Sequence, residues 1–166
     1  MLEVMIAIFT IAAFLTGTLQ LMAFTALYKV RSERQAKANF WIQEDFEDVK
    51  YIASTLDVNS SPANPNVSED VCTNINQGYA TALRRQLTAP ITPIPTEQFV
   101  ATRPIVGKNY SLYRTFNITS ANPHRLRIDY RVQLATGQIA DDYQNQENVI
   151  ARSSVEVIPD ASFKCP

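Results

Sequence analysis

An apolar segment near the N-terminus constrains this chain more than any other feature. Residues 4–28 carry no charged side chain, and Glu3 is the only charged residue before Lys29. About 25 residues make roughly 38 Å of α-helix, whereas the hydrocarbon core of a bilayer is roughly 30 Å thick. Its polar side chains are uncharged, and threonine hydroxyls can donate to the helix's own carbonyls; they are Thr10, Thr16, Thr18, Gln20 and Thr25. The segment can therefore cross a membrane.

Two simpler interpretations of this segment compete with a functional one. A cleaved secretory signal begins with basic residues and has an apolar stretch of about 7–15 residues, whereas this segment begins with an acid and is longer. A plain single-span anchor fits the length but gives Glu3 no role. An acid at mid-bilayer costs about 2.5–3.5 kcal/mol, so Glu3 needs the membrane interface or a cationic partner, such as a neighbouring subunit's α-amine.

Residues 1–8, MLEVMIAI, closely resemble the start of mature type IV pilins and of the pilin-like subunits of type II secretion. The family pattern is F-T-L-[IL]-E-[VL]-[ML]-[IV]-[AV], and Glu3 takes the place of its glutamate. That glutamate lies fifth in the family's mature chain and third here. The resemblance therefore implies that two residues, an aromatic and a threonine, precede Met1.

The resemblance implies a structural role and no enzymatic one. In the family, a prepilin peptidase removes a basic leader, the new N-terminal residue is methylated, and the glutamate pairs with an adjacent subunit's N-terminus. The implied path leads from the inner membrane, through the pilus assembly machinery, to an extracellular filament of this chain and other pilins that serves adhesion, motility or DNA uptake. The alternatives are a type II secretion pseudopilin and a membrane-anchored binding module that does not polymerise.

Physical chemistry supports an assembly role for Glu3 independently of the family. A carboxylate in the first helical turn is stabilised by the partial positive charge there, typically by about 0.3–1 kcal/mol. Paired with a neighbouring subunit's amine, it would fix the axial register of packed helices, a role for which buried ion pairs are well suited.

The helix is predicted to continue past the apolar segment. Residues 29–56 contain neither Gly nor Pro, and apolar residues recur at the spacing of one buried helical face. One helix of roughly 55 residues follows, with its apolar half protruding and its second half packed on a domain. The predicted buried face comprises Val30, Ala38, Ile42, Phe46, Val49, Ile52 and Ala53.

Two charge clusters lie on this second half. They are Lys29, Arg31, Arg34 and Lys37, and then Glu44, Asp45, Glu47 and Asp48. Two interpretations stay open: the basic cluster contacts lipid head groups, or it is a solvated face that pairs with the acidic cluster of a neighbouring subunit.

Gly17 is the weak point of the apolar segment, because glycine costs about 1 kcal/mol relative to alanine in a helix interior. Many pilins lose part of this helix when they pack into filaments. Gly17 is the candidate position for such melting here, and the alternative is a small residue at a close helix contact.

The remainder of the chain predicts a loop region followed by a sheet. Prolines at 62 and 65 end the helix, and a short helix is expected at 78–87. Alternating apolar residues predict strands at 98–102, 110–116, 125–134 and 149–158, separated by turn-like GKN, NPH and TGQ. The expected fold is α+β, a long helix on an antiparallel meander, divided into 1–28, 29–56, 57–97 and 98–166.

Other candidate sites are less specific. Four triplets fit the N-glycosylation sequon, beginning at Asn59, Asn66, Asn109 and Asn117. Cys72 and Cys165 are the only cysteines, and a chain exported from the cytoplasm favours a disulfide between them, with two free thiols as the alternative. Many pilins likewise carry a disulfide in a C-terminal region.

Nucleic-acid binding and catalysis find little support. The net charge is −1, and the outward arginines of the third strand, Arg125, Arg127 and Arg131, lack an aromatic platform because Tyr130 points to the core. His124 is predicted to be a surface residue without a metal-ligand or nucleophile partner. Asp141 and Asp142 are expected in a solvated loop, without the ligand pattern of a calcium site. We expect no cofactor and no metal.

Overall fold

A computed structural model describes residues 2–60, 62–142 and 146–165. It has the predicted α+β fold, a long N-terminal helix packed on a four-stranded antiparallel sheet. The helices are α1 (Leu2–Thr55) and α2 (Tyr79–Thr88), and the strands are β1 (Glu97–Ile105), β2 (Lys108–Thr119), β3 (Asn122–Leu134) and β4 (Val149–Val157). Two short 3₁₀ helices, Ile75–Gln77 and Asp160–Lys164, were not expected from the sequence.

The second half of α1 buries one face against the sheet. Four of the seven residues predicted for this face are fully buried, and the other three are half-buried. Trp41 and Leu56 extend the same face. Burying apolar area stabilises the fold by roughly 25 cal/mol per Å², so this face, rather than intrinsic propensity, holds the helix on the domain.

Two charged residues on this face correct the predicted clusters. Arg34 and Asp45, assigned to a basic and an acidic group facing solvent or a neighbouring subunit, are instead only 5% and 6% exposed within the chain's own domain. Both positions belong to the series that buries Ala38, Ile42 and Val49, where members are three or four residues apart. The helical spacing of Arg34 and Asp45 therefore indicates burial, whereas their charge suggested exposure.

The sheet is the predicted meander, with spatial order β1-β2-β3-β4. Two of its turns differ from the prediction. The β1–β2 turn is formed by Val106 and Gly107, which both have positive φ (42° and 81°), as a two-residue hairpin of type I′ requires. The NPH triplet lies inside β3 rather than between strands. The TGQ turn is confirmed, with Gly137 at φ 86°.

Strand β1 extends past its predicted end at residue 102 because it tolerates Pro104. A proline cannot donate to a strand ladder, so in sheets it is confined to edges and bulges. β1 is an edge strand, bonded only to β2. The missing N–H therefore costs no ladder hydrogen bond.

The core lies between the inner sheet face, the second half of α1, and α2. Its largest fully buried side chains include Tyr79, Tyr110, Tyr130, Leu83, Leu112 and Ile128. α2 begins one residue later than predicted, after Gly78. A Cβ at Gly78 would lie 2.2 Å from the carbonyl oxygen of Pro123, so only glycine permits this close approach of α2 to β3.

A disulfide joins Cys72 to Cys165, across 93 positions of sequence. It ties the C-terminal segment to the loop that follows α1, where Lys164 also donates to Asp57 at 2.7 Å. The disulfide interpretation is confirmed, and the alternative of two free thiols is wrong for this structure. This crosslink lies at the end of the domain remote from the apolar half of α1.

Replacing both cysteines with serine is expected to lower the free energy of unfolding by about 2–4 kcal/mol, because the open chain regains the entropy of a long loop. Thermal denaturation of the full chain in nonionic detergent, followed by circular dichroism, measures the change. Reduction of the wild-type protein is the control and should give the same loss. An unchanged melting temperature in both would show that the crosslink does not stabilise the domain.

Candidate assembly helix and its attachment to the domain

The first half of α1 projects from the domain with its apolar side chains uncovered. Its large apolar residues between Val4 and Tyr28 are 43–73% exposed. By length and hydropathy, α1 can cross a membrane, and none of its most apolar window is buried within the described chain. Monomers rarely leave so large an apolar surface in water. The segment is therefore suited to burial in lipid or against other helices.

Threonine hydroxyls in this half are satisfied within the helix, as predicted. Thr10 donates to the carbonyl of Ile6 at 2.7 Å, and Thr25 donates to that of Leu21 at 2.8 Å. Thr16 and Thr18 donate in the same way to the carbonyls four residues earlier. Because these hydroxyls need no external partner, they add little cost to burial in an apolar environment.

Glu3 lies in the first turn of α1 and is exposed. No ion pair or side-chain hydrogen bond engages it within the part of the chain that the structure describes. Its carboxylate is therefore next to the unsatisfied N–H groups and partial positive charge of the helix N-terminus. An uncommitted acid at the apolar end of an exposed helix is available to a partner.

The helix runs without interruption through Gly17. A Cβ at this position would meet nothing within 4 Å, so no contact inside the chain requires glycine. Melting at Gly17 and close helix packing there both concern an assembled state, and both remain predictions.

A buried ion pair fixes the second half of α1 to the sheet. Arg114 on β2 donates to both carboxylate oxygens of Asp45, at 2.7 Å from Nε and 2.5 Å from Nη2. Gln98 accepts a further bond from Arg114. Tyr130 lies beside the pair, and its burial, with the nearby Asp45 carboxylate, raises the pKa of its hydroxyl. Such paired, hydrogen-bonded charges fix geometry more than they add stability.

A second ion pair fixes the loop after β3 to the helix. Arg34 donates to Asp142 at 2.5 Å and, at 2.9 Å, to the carbonyl of Val106 in the β1–β2 turn. Lys108 donates to Asp141 and also pairs with Asp142. Partial burial disfavours the Asp142 carboxylate, but its bonds to Arg34 and Lys108 prevail and lower its pKa. Asp141 and Asp142 are both exposed in a loop, as predicted, but the loop is also tied to Arg34 and Lys108 by these ion pairs.

A third contact joins α1 to β1, an edge strand of the sheet. Arg103 on β1 places its guanidinium 5.0 Å from the ring centroid of Trp41 and donates to both carboxylate oxygens of Glu44. The helix is thus held to β1, to β2 and to the loop after β3. The exposed apolar half continues from this attached half as one uninterrupted helix.

The sequon asparagines occupy different surroundings. Asn59 is exposed, and its triplet includes Ser61, which lies outside the described residues. Asn66 donates its side-chain amide to Gln86, and Asn117 donates to Asp129 at 2.7 Å. Asn109 is exposed at the start of β2, although Ser111 of its triplet is buried. Glycosylation at these positions stays a prediction.

The arginines of β3 face outward and Tyr130 faces the core, as predicted. Each arginine has an acidic partner: Glu156 for Arg125, Asp129 for Arg127 and Glu97 for Arg131. The prediction that no aromatic residue accompanies them is wrong. The Tyr113 ring on β2 lies 5.2 Å from the guanidinium of Arg131, because strand register brings together residues far apart in sequence.

His124 is half-buried rather than on the surface, and its Nδ1 accepts the backbone N–H of Tyr79 at 3.3 Å. It therefore accepts a backbone N–H at the first residue of α2, where no carbonyl of the helix is available. In the described ranges no group of three His, Cys, Asp or Glu residues is arranged to hold a metal ion.

Comparison with known proteins does not assign a family. No family model matches the chain, and neither the curated proteins nor the solved structures include a significant match.

Proposed function

We propose that this chain is a structural subunit of a type IV pilus, held in the inner membrane by α1 before assembly and then polymerised through the same helix into a surface filament. The observation that carries the proposal is the apolar half of α1, exposed along its length and bearing the uncommitted Glu3 in its first turn. The resemblance of residues 1–8 to mature pilins supports the same role.

The proposal accounts for two features that an anchor alone leaves without purpose. An anchor needs an apolar helix, but it does not need a carboxylate at the apolar end, where ionisable groups are expensive. It also does not need its helix held to the domain in one orientation, which the buried Asp45–Arg114 pair favours. A filament needs both, because a helical assembly repeats one contact geometry through many subunits and any looseness accumulates.

Helix packing would give each subunit two kinds of contact. Apolar side chains of neighbouring α1 helices would cover one another in the filament core, replacing lipid. Glu3 would pair with the α-amine of an adjacent subunit and set the axial register, since apolar side chains alone can slide. The domain, attached to the other half of α1, would then face outward.

Intact mass spectrometry of filaments sheared from the source cells tests this function. We expect the chain in the sheared fraction, with a mass that reports its N-terminus, methylation, disulfide and any glycan. The membrane fraction of the same cells is the control for total expression. A dominant signal in the filaments would identify a major pilin, and a trace signal a minor one.

Absence from sheared filaments, with the protein retained in the cell envelope, would contradict the surface-filament proposal. The pseudopilin alternative predicts that result, together with loss of secretion when the chain is deleted. The non-polymerising binding module also predicts envelope retention, but with no dependence of any activity on Glu3.

A further inference from the structure

One row of side chains crosses the outer face of the sheet, the face turned away from α1. Strand register pairs Phe99 on β1 with Tyr113 on β2. It then pairs Tyr113 with Arg131 on β3, and Arg131 with Arg152 on β4. Neighbouring strands lie about 4.8 Å apart, so the row is about 14 Å long. Two aromatic rings thus occupy one end of the row and two guanidinium groups the other.

The aromatic end is assembled but still accessible. The rings of Phe99 and Tyr113 meet edge to face with centroids 5.7 Å apart, and Phe99 is 54% exposed. The guanidinium of Arg131 lies over Tyr113, and Glu97 accepts from its Nη2 at 2.7 Å. The positions of these side chains are therefore fixed before any ligand arrives, which reduces the entropy lost on binding.

Arg152 is the part of the row that lacks a partner. It is exposed, and no acidic side chain pairs with it among the residues described. It also lies directly opposite Arg131, and like charges at opposed positions of antiparallel strands are destabilising. Both arginines line one depression on this face. An oxyanion held there by Arg152 would offset this repulsion and accept a charge-assisted hydrogen bond from its guanidinium.

The adjacent row supplies polar groups. Glu97, Thr115, Asp129 and Ser154 follow one another across the four strands. Part of this row and the arginine pair line a shallow depression of about 380 Å³. Hydroxyl groups of a ligand can donate to these carboxylates and exchange hydrogen bonds with the Thr and Ser hydroxyls.

We propose that this outer row is a binding site for an acidic saccharide, a chain of sugar rings carrying carboxylates of the uronic-acid type. Arg152, with Arg131 lining the same depression, would hold a sugar carboxylate. The exposed ring of Phe99, positioned by its contact with Tyr113, would pack against the apolar C–H face of a neighbouring sugar. Asp129, which already accepts bonds from Asn117, Arg127 and Ser154, has capacity for one more from a sugar hydroxyl. This face thus offers a cation for the sugar carboxylate, an aromatic ring for the apolar sugar face and a carboxylate for the sugar hydroxyls.

A polynucleotide fits this face less well, although its bases also stack on aromatic rings. A single strand carries a phosphate at each nucleotide, and positively charged grooves normally follow its backbone. Here Glu97, Asp129 and Glu156 alternate with the arginines. These carboxylates repel phosphates and sugar carboxylates alike. They favour a saccharide because they can accept hydrogen bonds from its many hydroxyl groups, which the interior of a DNA strand lacks.

The site is independent of polymerisation. It lies on the sheet face opposite α1, so it is open in the single chain and would remain on the outside of the proposed filament. Binding can therefore be measured without assembly, and failure of one proposal leaves the other standing.

Isothermal titration calorimetry of the full chain in nonionic detergent tests the proposal, with tetragalacturonate as the probe. We expect binding to the wild-type chain, and weakening of about tenfold or more for Arg152→Gln, because a charged hydrogen bond is lost. The methyl ester of the same tetrasaccharide, which keeps the rings and removes the charges, should bind as weakly.

Matched variants test whether the affinity depends on side chains of the row or on exposed side chains elsewhere. Arg125→Gln also removes an outward-facing arginine of the sheet, but from outside the row, and should change the affinity less than about twofold. Phe99→Ala should weaken binding about fivefold through loss of an aromatic contact. Ile139→Ala, which truncates an exposed apolar residue elsewhere, should have no effect.

Three results would overturn the proposal. They are no heat of binding with tetragalacturonate, equal losses for Arg152→Gln and Arg125→Gln, and tighter binding of an oligothymidylate than of the saccharide. The last would assign the face to nucleic acid. Melting temperatures of all variants should stay close to that of the wild type, since Phe99, Ile139 and Arg152 are exposed and Arg125 makes only a surface ion pair.

Discussion

Replacing Glu3 with alanine is expected to abolish filaments while the protein stays in the membrane. The apolar half of α1 is unchanged by the substitution, and removing an acid from it favours membrane insertion. In the proposed filament, however, every subunit would lose its carboxylate and leave an α-amine buried without a partner. Breaking a buried ion pair typically costs about 3–5 kcal/mol, and the loss recurs at each subunit contact.

Electron microscopy of cells and immunoblots of sheared and membrane fractions measure the effect. Glu3→Gln keeps the size and polarity of the side chain, so its failure to assemble would assign the defect to charge. Thr10→Val is the matched control, because it alters another polar residue of the same exposed helix whose hydroxyl bonds only within the helix. Filaments at wild-type abundance in Glu3→Ala would contradict the register role.

Replacing Asp45 with alanine should destabilise the domain by about 3–5 kcal/mol, since Arg114 would remain buried without its carboxylate. Arg114 makes two bonds to Asp45, and both side chains are less than 10% exposed. For a chain of this size, 1 kcal/mol shifts the melting temperature by about 2–4 °C. A fall of roughly 6–20 °C is therefore expected in detergent, by circular dichroism.

Glu44 provides the matched control for this prediction. It is the neighbouring residue and also pairs with an arginine of the sheet, but its side chain and that of Arg103 are each nearly half exposed. Glu44→Ala should cost less than about 1 kcal/mol, as exposed pairs do. The double variant Asp45→Leu/Arg114→Met should recover most of the loss, because replacing both partners removes the unpaired charge. Equal effects of Asp45→Ala and Glu44→Ala would refute the argument from burial.

The two predictions separate assembly from attachment. Glu3 is expected to govern contacts between subunits and leave the domain's melting temperature unchanged. Asp45 is expected to govern the attachment of α1 to the sheet, and a milder substitution there, such as Asp45→Asn, would loosen the helix without removing Glu3. The roles are distinct if the Glu3 variant loses filaments but keeps the wild-type melting temperature, whereas the Asp45 variant has a lower melting temperature.

The sequence by itself determined which segments form the long helix and the strands. An apolar run without charges predicts an exposed or membrane-spanning helix, the absence of Gly and Pro from residues 29–56 predicts its continuation, and strict alternation at 125–134 predicts a half-buried strand. These signals are local, because the side-chain periods of a helix and a strand can be recognised from residues that are close together in the sequence. The candidate role of Glu3 has the same origin, since it depends on one acid beside that run.

Only the tertiary structure decided which residues meet. Arg34 and Asp45 were grouped by charge with their sequence neighbours, yet each bonds to a residue about 70 or more positions away. The outer row of Phe99, Tyr113, Arg131 and Arg152 likewise exists only through the register of four strands. Register and helix docking are set by turn geometry and by the packing of the whole core, and no local period records them.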